Sequence, residues 1–186
     1  MDTSELKNGI KVMFDNAPWL VLNVDFVKPG KGQAFYKIRV TNLLSGNTQE
    51  KTLRSGEKIV EADVIDVDMQ FLYNDPNGYV FMDKTTFDQI TVPAKNVGDQ
   101  RDFLLENMDV VVTQWNGEPI AVRLPNSVHM EVTYTEPAVK GDTQSRVMKP
   151  AKVESGAEIP VPIFIDIGDR IIINTVTREY AGRSNK

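Results

Sequence analysis

The sequence predicts an all-β protein assembled from small sheets or barrels. Three observations lead there. Strand-length runs rich in apolar, β-branched and aromatic residues recur along the 186-residue chain. Gly, Asn and Pro turn signals close nearly every run, and only one stretch has helical periodicity. Repeated short strands without alternating helices exclude a parallel α/β core.

Taken in order, "WLVLNVDFV" (19–27) and "AFYKIRVTNL" (34–43) are the first strands. The Ser-Gly-Asn turn at 45–47 predicts that 34–43 pairs with 48–53 as a hairpin. "DVDMQFLYNDPNGYVFMD" turns between Asn74 and Gly78, and "MDVVVTQWNGEPIAVRL" turns at Asn116-Gly117. Both residues of that second turn tolerate positive φ, which makes it the strongest hairpin signal in the chain. A third block of strands runs from "SVHMEVTYTE" through "GAEIPVPIFIDIGDRIIINTVTREYAGR". The helical stretch lies within 94–108, where Val97, Leu104, Leu105 and Met108 share a face opposite Asp99, Gln100, Asp102 and Glu106. It reads as a plug on a barrel.

A proline-bearing joint near 125 and a charge change near 63 divide the strands into three sets, predicting domains over 1–63, 64–127 and 128–186. Domains of this size have a radius of gyration of about 10 Å, so three in line reach roughly 80 Å and the molecule is expected to be elongated.

Composition narrows the function. No apolar run is long enough to cross a bilayer and no secretion signal opens the chain, so a soluble cytoplasmic protein without a membrane partner is expected. The absence of cysteine removes disulfides, thiolate nucleophiles and thiolate metal sites, and the lone His129 leaves little for base-driven nucleophilic catalysis. No cofactor or metal is expected. The net charge of -5 argues against binding nucleic acid through bulk electrostatics, but it is unevenly spread. Residues 1–63 carry 9 Lys+Arg against 8 Asp+Glu, residues 64–127 carry 4 against 10, and the remainder carries 8 against 8. The acidity lives in the middle.

The loop between the first two strands, "KPGKGQ", holds Lys31 near its tip. Pro29 fixes φ and restricts Lys28, while Gly30 and Gly32 accept backbone geometries that a Cβ would forbid, so the loop can turn sharply with nothing beside the lysine. An ammonium is presented on a bare stalk. A solvated hairpin lysine is the ordinary reading of such a pattern, and an amine offered to a partner or to a modifying enzyme is the other. A Walker A phosphate loop is excluded, because the glycines bracket the lysine and a strand follows instead of a helix.

"FVKPGKGQAF" resembles the tip loop of the bacterial elongation factor P family. The family's C-terminal signature, K-x-A-x4-G-x2-[LIV]-x-V-P-x2-[LIV]-x2-G, is met by Lys149, Ala151, Gly156, Ile159, Val161, Pro162, Ile165 and Gly168. "FLYNDPNG", "YVFMD", "LPNSV" and "VKGDT" resemble the family in the same order, so the likeness covers essentially the whole chain. It implies an N-terminal SH3-like (KOW-like) barrel, two OB-fold barrels with one short helix in the middle domain, and an L-shaped body that mimics tRNA. It implies a monomeric, non-enzymatic translation factor that contacts both ribosomal subunits between the P and E sites, positions peptidyl-tRNA, stimulates peptide bond formation and relieves stalling at consecutive prolines. Lys31 is then the residue reaching the CCA end of the P-site tRNA, with Lys28, Pro29, Gly30, Gly32 and Gln33 forming its loop. A β-lysyl-type covalent addition to Lys31, made by a lysine-modifying enzyme, is implied as well. Gly141, Asp142 and Thr143 match a loop facing the E site, although Gln144, Ser145 and Arg146 depart from the glycine-rich residues of many members.

The residues also admit other readings. The paralogous elongation factor P-like proteins typically depart at the Lys31 tip. A general OB-fold protein for single-stranded nucleic acid would share the strands and the aromatics Trp19, Phe35, Tyr36, Phe71, Tyr73 and Trp115, but needs no bracketed lysine. For Trp19 and Trp115 a core or cross-strand role is expected. Asp66 and Asp68, on one strand face, are the only hint of a hydrolase, and alternating acids usually mark a solvated sheet. His129 is expected to be structural.

Overall fold

The computed structural model describes residues 1–138 and 147–185. Among them, strands form three antiparallel sheets, and the fold is all-β with one short α-helix. The first sheet is a meander of β1 (Lys11–Phe14), β2 (Ala17–Val27), β3 (Phe35–Asn42) and β4 (Thr48–Arg54), in that spatial order. Alternation sets its faces: Ile38 and Val40 are buried while Lys37 and Arg39 are exposed. The buried face joins Val12, Trp19, Val21 and Leu53, with Leu6 and Ile59 from flanking segments, in one core. The expected hairpin of β3 with β4 is present from Phe35↔Arg54 to Thr41↔Thr48.

The second sheet comprises β5 (Val64–Asp75), β6 (Gly78–Asp83), β7 (Gln89–Val92), β8 (Asp109–Trp115) and β9 (Glu118–Arg123), ordered β7-β6-β5-β8-β9. The third comprises β10 (Ser127–Thr135), β11 (Met148–Val153), β12 (Glu158–Pro162), β13 (Arg170–Asn174) and β14 (Glu179–Arg183), ordered β12-β11-β10-β13-β14. The two orders are the same permutation, with the first strand at the centre, and in the third sheet β12 also approaches β14. This is the strand order of the expected OB barrels. Asn116 (φ 50°) and Gly117 (φ 81°) form the β8–β9 turn with both residues at positive φ, as their identity predicts.

The helix is shorter than its apolar pattern. α1 covers only Ala94–Val97, a 3-10 segment follows over Gly98–Phe103, and Leu104 is already extended (φ -78°, ψ 128°). Gly98, at φ 57° and ψ -142°, interrupts the α geometry, and Pro93 supplies no side-chain cap. Val97 and Leu104 are buried as expected, Leu105 and Met108 are half-buried, and Phe103 is buried in addition.

The chain falls into two compact units, residues 1–67 with 112–121 and residues 68–111 with 122–186. The ends of β5, β8 and β9 belong to the first unit with the four-stranded sheet. Among the described residues, no helix is long and apolar enough to cross a membrane.

Candidate functional site

The β2–β3 hairpin outruns the core it belongs to. Its register is interrupted by a bulge between Val21 and Asn23 and then continues through Val24↔Ile38 and Phe26↔Tyr36 to Val27↔Phe35. Along the core-facing side, burial fades from Ile38, which is inaccessible, through half-buried Tyr36 to Phe26, which is 54% exposed. On the β4 side the core reaches the same rung, where Leu53 opposite Tyr36 is buried, so it is the β2 side of the arm, at Phe26, that is left uncovered just before the loop begins.

Residues 28–34 close the arm. Gly32 adopts φ 113°, a region that side-chain-bearing residues avoid, and a Cβ there would sit 3.7 Å from the Pro29 ring. Gly30 does not have positive φ, and a Cβ on it would meet nothing within 4 Å. Backbone geometry therefore requires glycine at 32 only, contrary to the expectation for both positions. What Gly30 contributes is open space beside Lys31. Lys28, Gly30, Lys31, Gly32 and Gln33 are exposed and Pro29 is half-buried. Among the described residues, Lys31 has no hydrogen-bond or ion-pair partner.

The arm is locally basic. Between residues 25 and 39 it carries Lys28, Lys31, Lys37 and Arg39 against the single carboxylate of Asp25, which accepts a 2.9 Å hydrogen bond from the Asn23 amide. An exposed cation at the end of an antiparallel arm can contact phosphate or another anion without first breaking an internal ion pair.

The other candidates are accounted for structurally. Asp66 accepts a hydrogen bond from Thr113 Oγ1 at 2.7 Å and lies 3.7 Å from Lys11 Nζ, while the backbone carbonyl of Asp68 accepts from the Lys84 amide at 3.3 Å. No group of three or more potential metal ligands occurs among the described residues. Exposed His129 pairs through Nδ1 with Ser184 Oγ at 2.8 Å, tying β10 to the residue that follows β14. Trp19 is core: its Nε1 donates to the Phe14 carbonyl at 3.0 Å and Lys51 lies over its ring. Phe71 is buried against Phe81 and Tyr79, Trp115, Phe35 and Tyr36 are half-buried, and Tyr73 is exposed. Gly141, Asp142 and Thr143 lie outside the described residues.

Sequence reasoning missed two side chains. Phe26 hides inside an apolar run, and only its phase with Val24, combined with the hairpin register, marks it as a core-face residue lying beyond the core. Arg178 gives no local signal, because its partners Asp99, Asp102 and Phe103 are distant in sequence.

Comparison with known proteins agrees with this architecture. Family models match over residues 2–59 (elongation factor P KOW-like domain), 64–122 (elongation factor P OB domain) and 128–183 (elongation factor P, C-terminal). Elongation factor P of Magnetococcus marinus is 46% identical over 181 residues, covering 97% of each chain. Two solved structures share the fold at low identity. Eukaryotic translation initiation factor 5A from Methanococcus jannaschii has a TM-score of 0.54 at 20% identity, over 67% of this chain and 92% of its own. A translation initiation factor 5A family protein from Naegleria fowleri has a TM-score of 0.53 at 17% identity, over 67% and 96%. With three consecutive domain models and a near full-length relative in agreement, the chain belongs to the elongation factor P family of translation elongation factors.

Proposed function

We propose that this protein binds the ribosome between the P and E sites, steadies the CCA end of peptidyl-tRNA and thereby accelerates peptide bond formation at consecutive prolines. The observation that carries this reading is Lys31: exposed, without a partner among the described residues, and held at the tip of the β2–β3 arm of an elongation factor P family member.

The physical problem at such sites is alignment. Proline's ring locks φ, its amine is secondary and hindered, and a proline-rich nascent chain is stiff. Holding two reactants in a productive geometry recovers several kcal/mol of barrier without any new chemical group. In this reading the protein performs no bond-making itself, and the ribosome remains the catalyst. Lys28, Pro29, Gly30, Gly32 and Gln33 shape the loop that lets Lys31 enter a crowded RNA cavity.

Covalent lengthening of Lys31 by a β-lysyl-type group would extend its reach and add a cationic contact to backbone phosphate. The open space around Gly30 supports access by a modifying enzyme. The remaining parts follow the same reading: a monomeric cytoplasmic factor with domains bounded near 63 and 127, touching both ribosomal subunits, with the loop at Gly141, Asp142 and Thr143 facing the E site. Reconstituted translation of a reporter with consecutive prolines tests it. Wild-type protein should relieve the stall and Lys31→Ala, folded normally, should not. Equal relief by both would reject the proposal.

A further inference from the structure

The arm that carries Lys31 also carries an aromatic ring with no structural duty proportionate to its size. Phe26 points to the core side of the β2–β3 hairpin by its register with Tyr36, yet it lies past the core and remains 54% exposed. Its ring is held from one side by Tyr36, at a centroid distance of 4.9 Å and an interplanar angle of 46°. Tyr36 stands opposite Leu53, which is buried, so the backing ring is anchored to the barrel. The result is a fixed aromatic surface with open area, one strand residue from the loop that begins at Lys28.

We infer that Phe26, backed by Tyr36, is a stacking face for an unpaired nucleobase of the RNA that Lys31 engages. The inference deepens the proposed function and rests on its RNA partner. Charge selects nucleic acid as the occupant: Lys28 and Lys31, in the loop that adjoins Phe26, carry no opposing carboxylate within residues 26–36, and phosphate contacts flanking a base need such cations. Exposed Phe87 provides the contrast. It is 68% exposed but lies in the segment with 4 basic against 10 acidic residues, where phosphate would be repelled. A stacking face tolerates any base, because every base offers a π surface, so it fixes position without reading sequence.

The probe is a single-stranded hexaribonucleotide carrying 2-aminopurine, together with the same oligonucleotide made abasic at that position. Wild-type protein should quench the fluorophore on binding, and the abasic form should bind roughly ten-fold more weakly. Phe26→Leu, which keeps apolar bulk, should lose that same factor and no longer discriminate the abasic oligonucleotide. Phe26→Trp should retain both the quench and the discrimination, which separates stacking from a fold defect. Lys31→Ala should weaken binding while leaving the quench at saturation intact. No quenching by wild type, or equal affinities for Phe26→Leu and wild type, would overturn the inference. In the stalling assay, normal relief by Phe26→Leu beside loss in Lys31→Ala would overturn the stacking face and leave the proposed function standing. Normal relief by both variants would overturn the two together.

Discussion

Arg178 and Asp102 form a charge-assisted hydrogen bond of 2.6 Å from Nη2 to Oδ2, and the same guanidinium donates to the Asp99 carbonyl at 3.2 Å and lies over the Phe103 ring. Arg178 makes these contacts from φ 62°, a conformation that costs a non-glycine residue about 1 kcal/mol. The turn between β13 and β14 thus clasps the segment that follows α1. Because both side chains are near 40% exposed, the ion pair itself is worth only about 0.5 kcal/mol.

Arg178→Ala should destabilise by about 1 kcal/mol, losing the pair and the ring contact while keeping the strained backbone. Arg178→Gly should be less harmful, since glycine tolerates this φ. Urea denaturation of both variants measures the difference. Equal losses would mean that the left-handed backbone is not strained.

Three turns share one hydrogen-bond design. Asn42 Oδ1 accepts from the amides of Leu44 and Ser45, Asp83 Oδ1 from Thr85 and Thr86, and Asn174 Oδ1 from Val176 and Thr177. The backbone hydrogen bond that closes each turn is donated by Gly46, Phe87 and Arg178 respectively, all at positive φ. Of these three, the β6–β7 turn alone uses a carboxylate. The amides of Thr86 and Thr85 hold the Asp83 carboxyl below its ordinary range.

Because its folded pKa is depressed, Asp83 contributes stability that is complete above the ordinary aspartate range and is lost as pH falls through the folded value. The Thr85 and Thr86 amide resonances should therefore titrate with a midpoint below that of an unperturbed aspartate. Asp83→Asn should abolish this titration and keep the turn, as Asn42 and Asn174 do. A midpoint in the ordinary range would contradict the assignment.

Gly78 is fixed by close approach. A Cβ there would fall 2.4 Å from the Val92 carbonyl oxygen, and the residue adopts φ 145°. Gly78→Ala should destabilise the protein by about 3 kcal/mol, by overpacking against backbone that cannot move away. Thermal or urea unfolding checks it, and a loss below about 1 kcal/mol would show that β7 yields easily.

Lys31 in protein purified from its native host should carry added mass on the peptide that contains it, and Lys31→Arg should not. Mass spectrometry reads this directly. An unmodified Lys31 in growing cells would contradict covalent lengthening.

Much of the fold was legible because its determinants are local. Asn116-Gly117, Asn74 to Gly78 and the 45–47 turn announce hairpins through residues that accept unusual φ, and alternation in β3 marks its buried face. The extent of the helix was not, since the apolar spacing of Val97, Leu104, Leu105 and Met108 says nothing of how Gly98 turns the chain between them. The Asp15-Asn16 turn between β1 and β2 carries no glycine to announce it, although both residues have positive φ. At the site, the bareness of Lys31 could be read from its neighbours, whereas the exposure of Phe26 depends on where the barrel core ends. That boundary is set by packing across four strands, and the pattern within one strand does not encode it.

The most direct test is the rate of a single peptide bond, measured by rapid quench on ribosomes whose P site holds a peptidyl-prolyl tRNA and whose acceptor is prolyl-tRNA. Wild-type protein should accelerate this step, and Lys31→Ala should lose at least about ten-fold of that acceleration, with no change for a reactive non-proline pair. A Lys31→Ala protein that accelerates proline transfer as well as wild type would contradict the account.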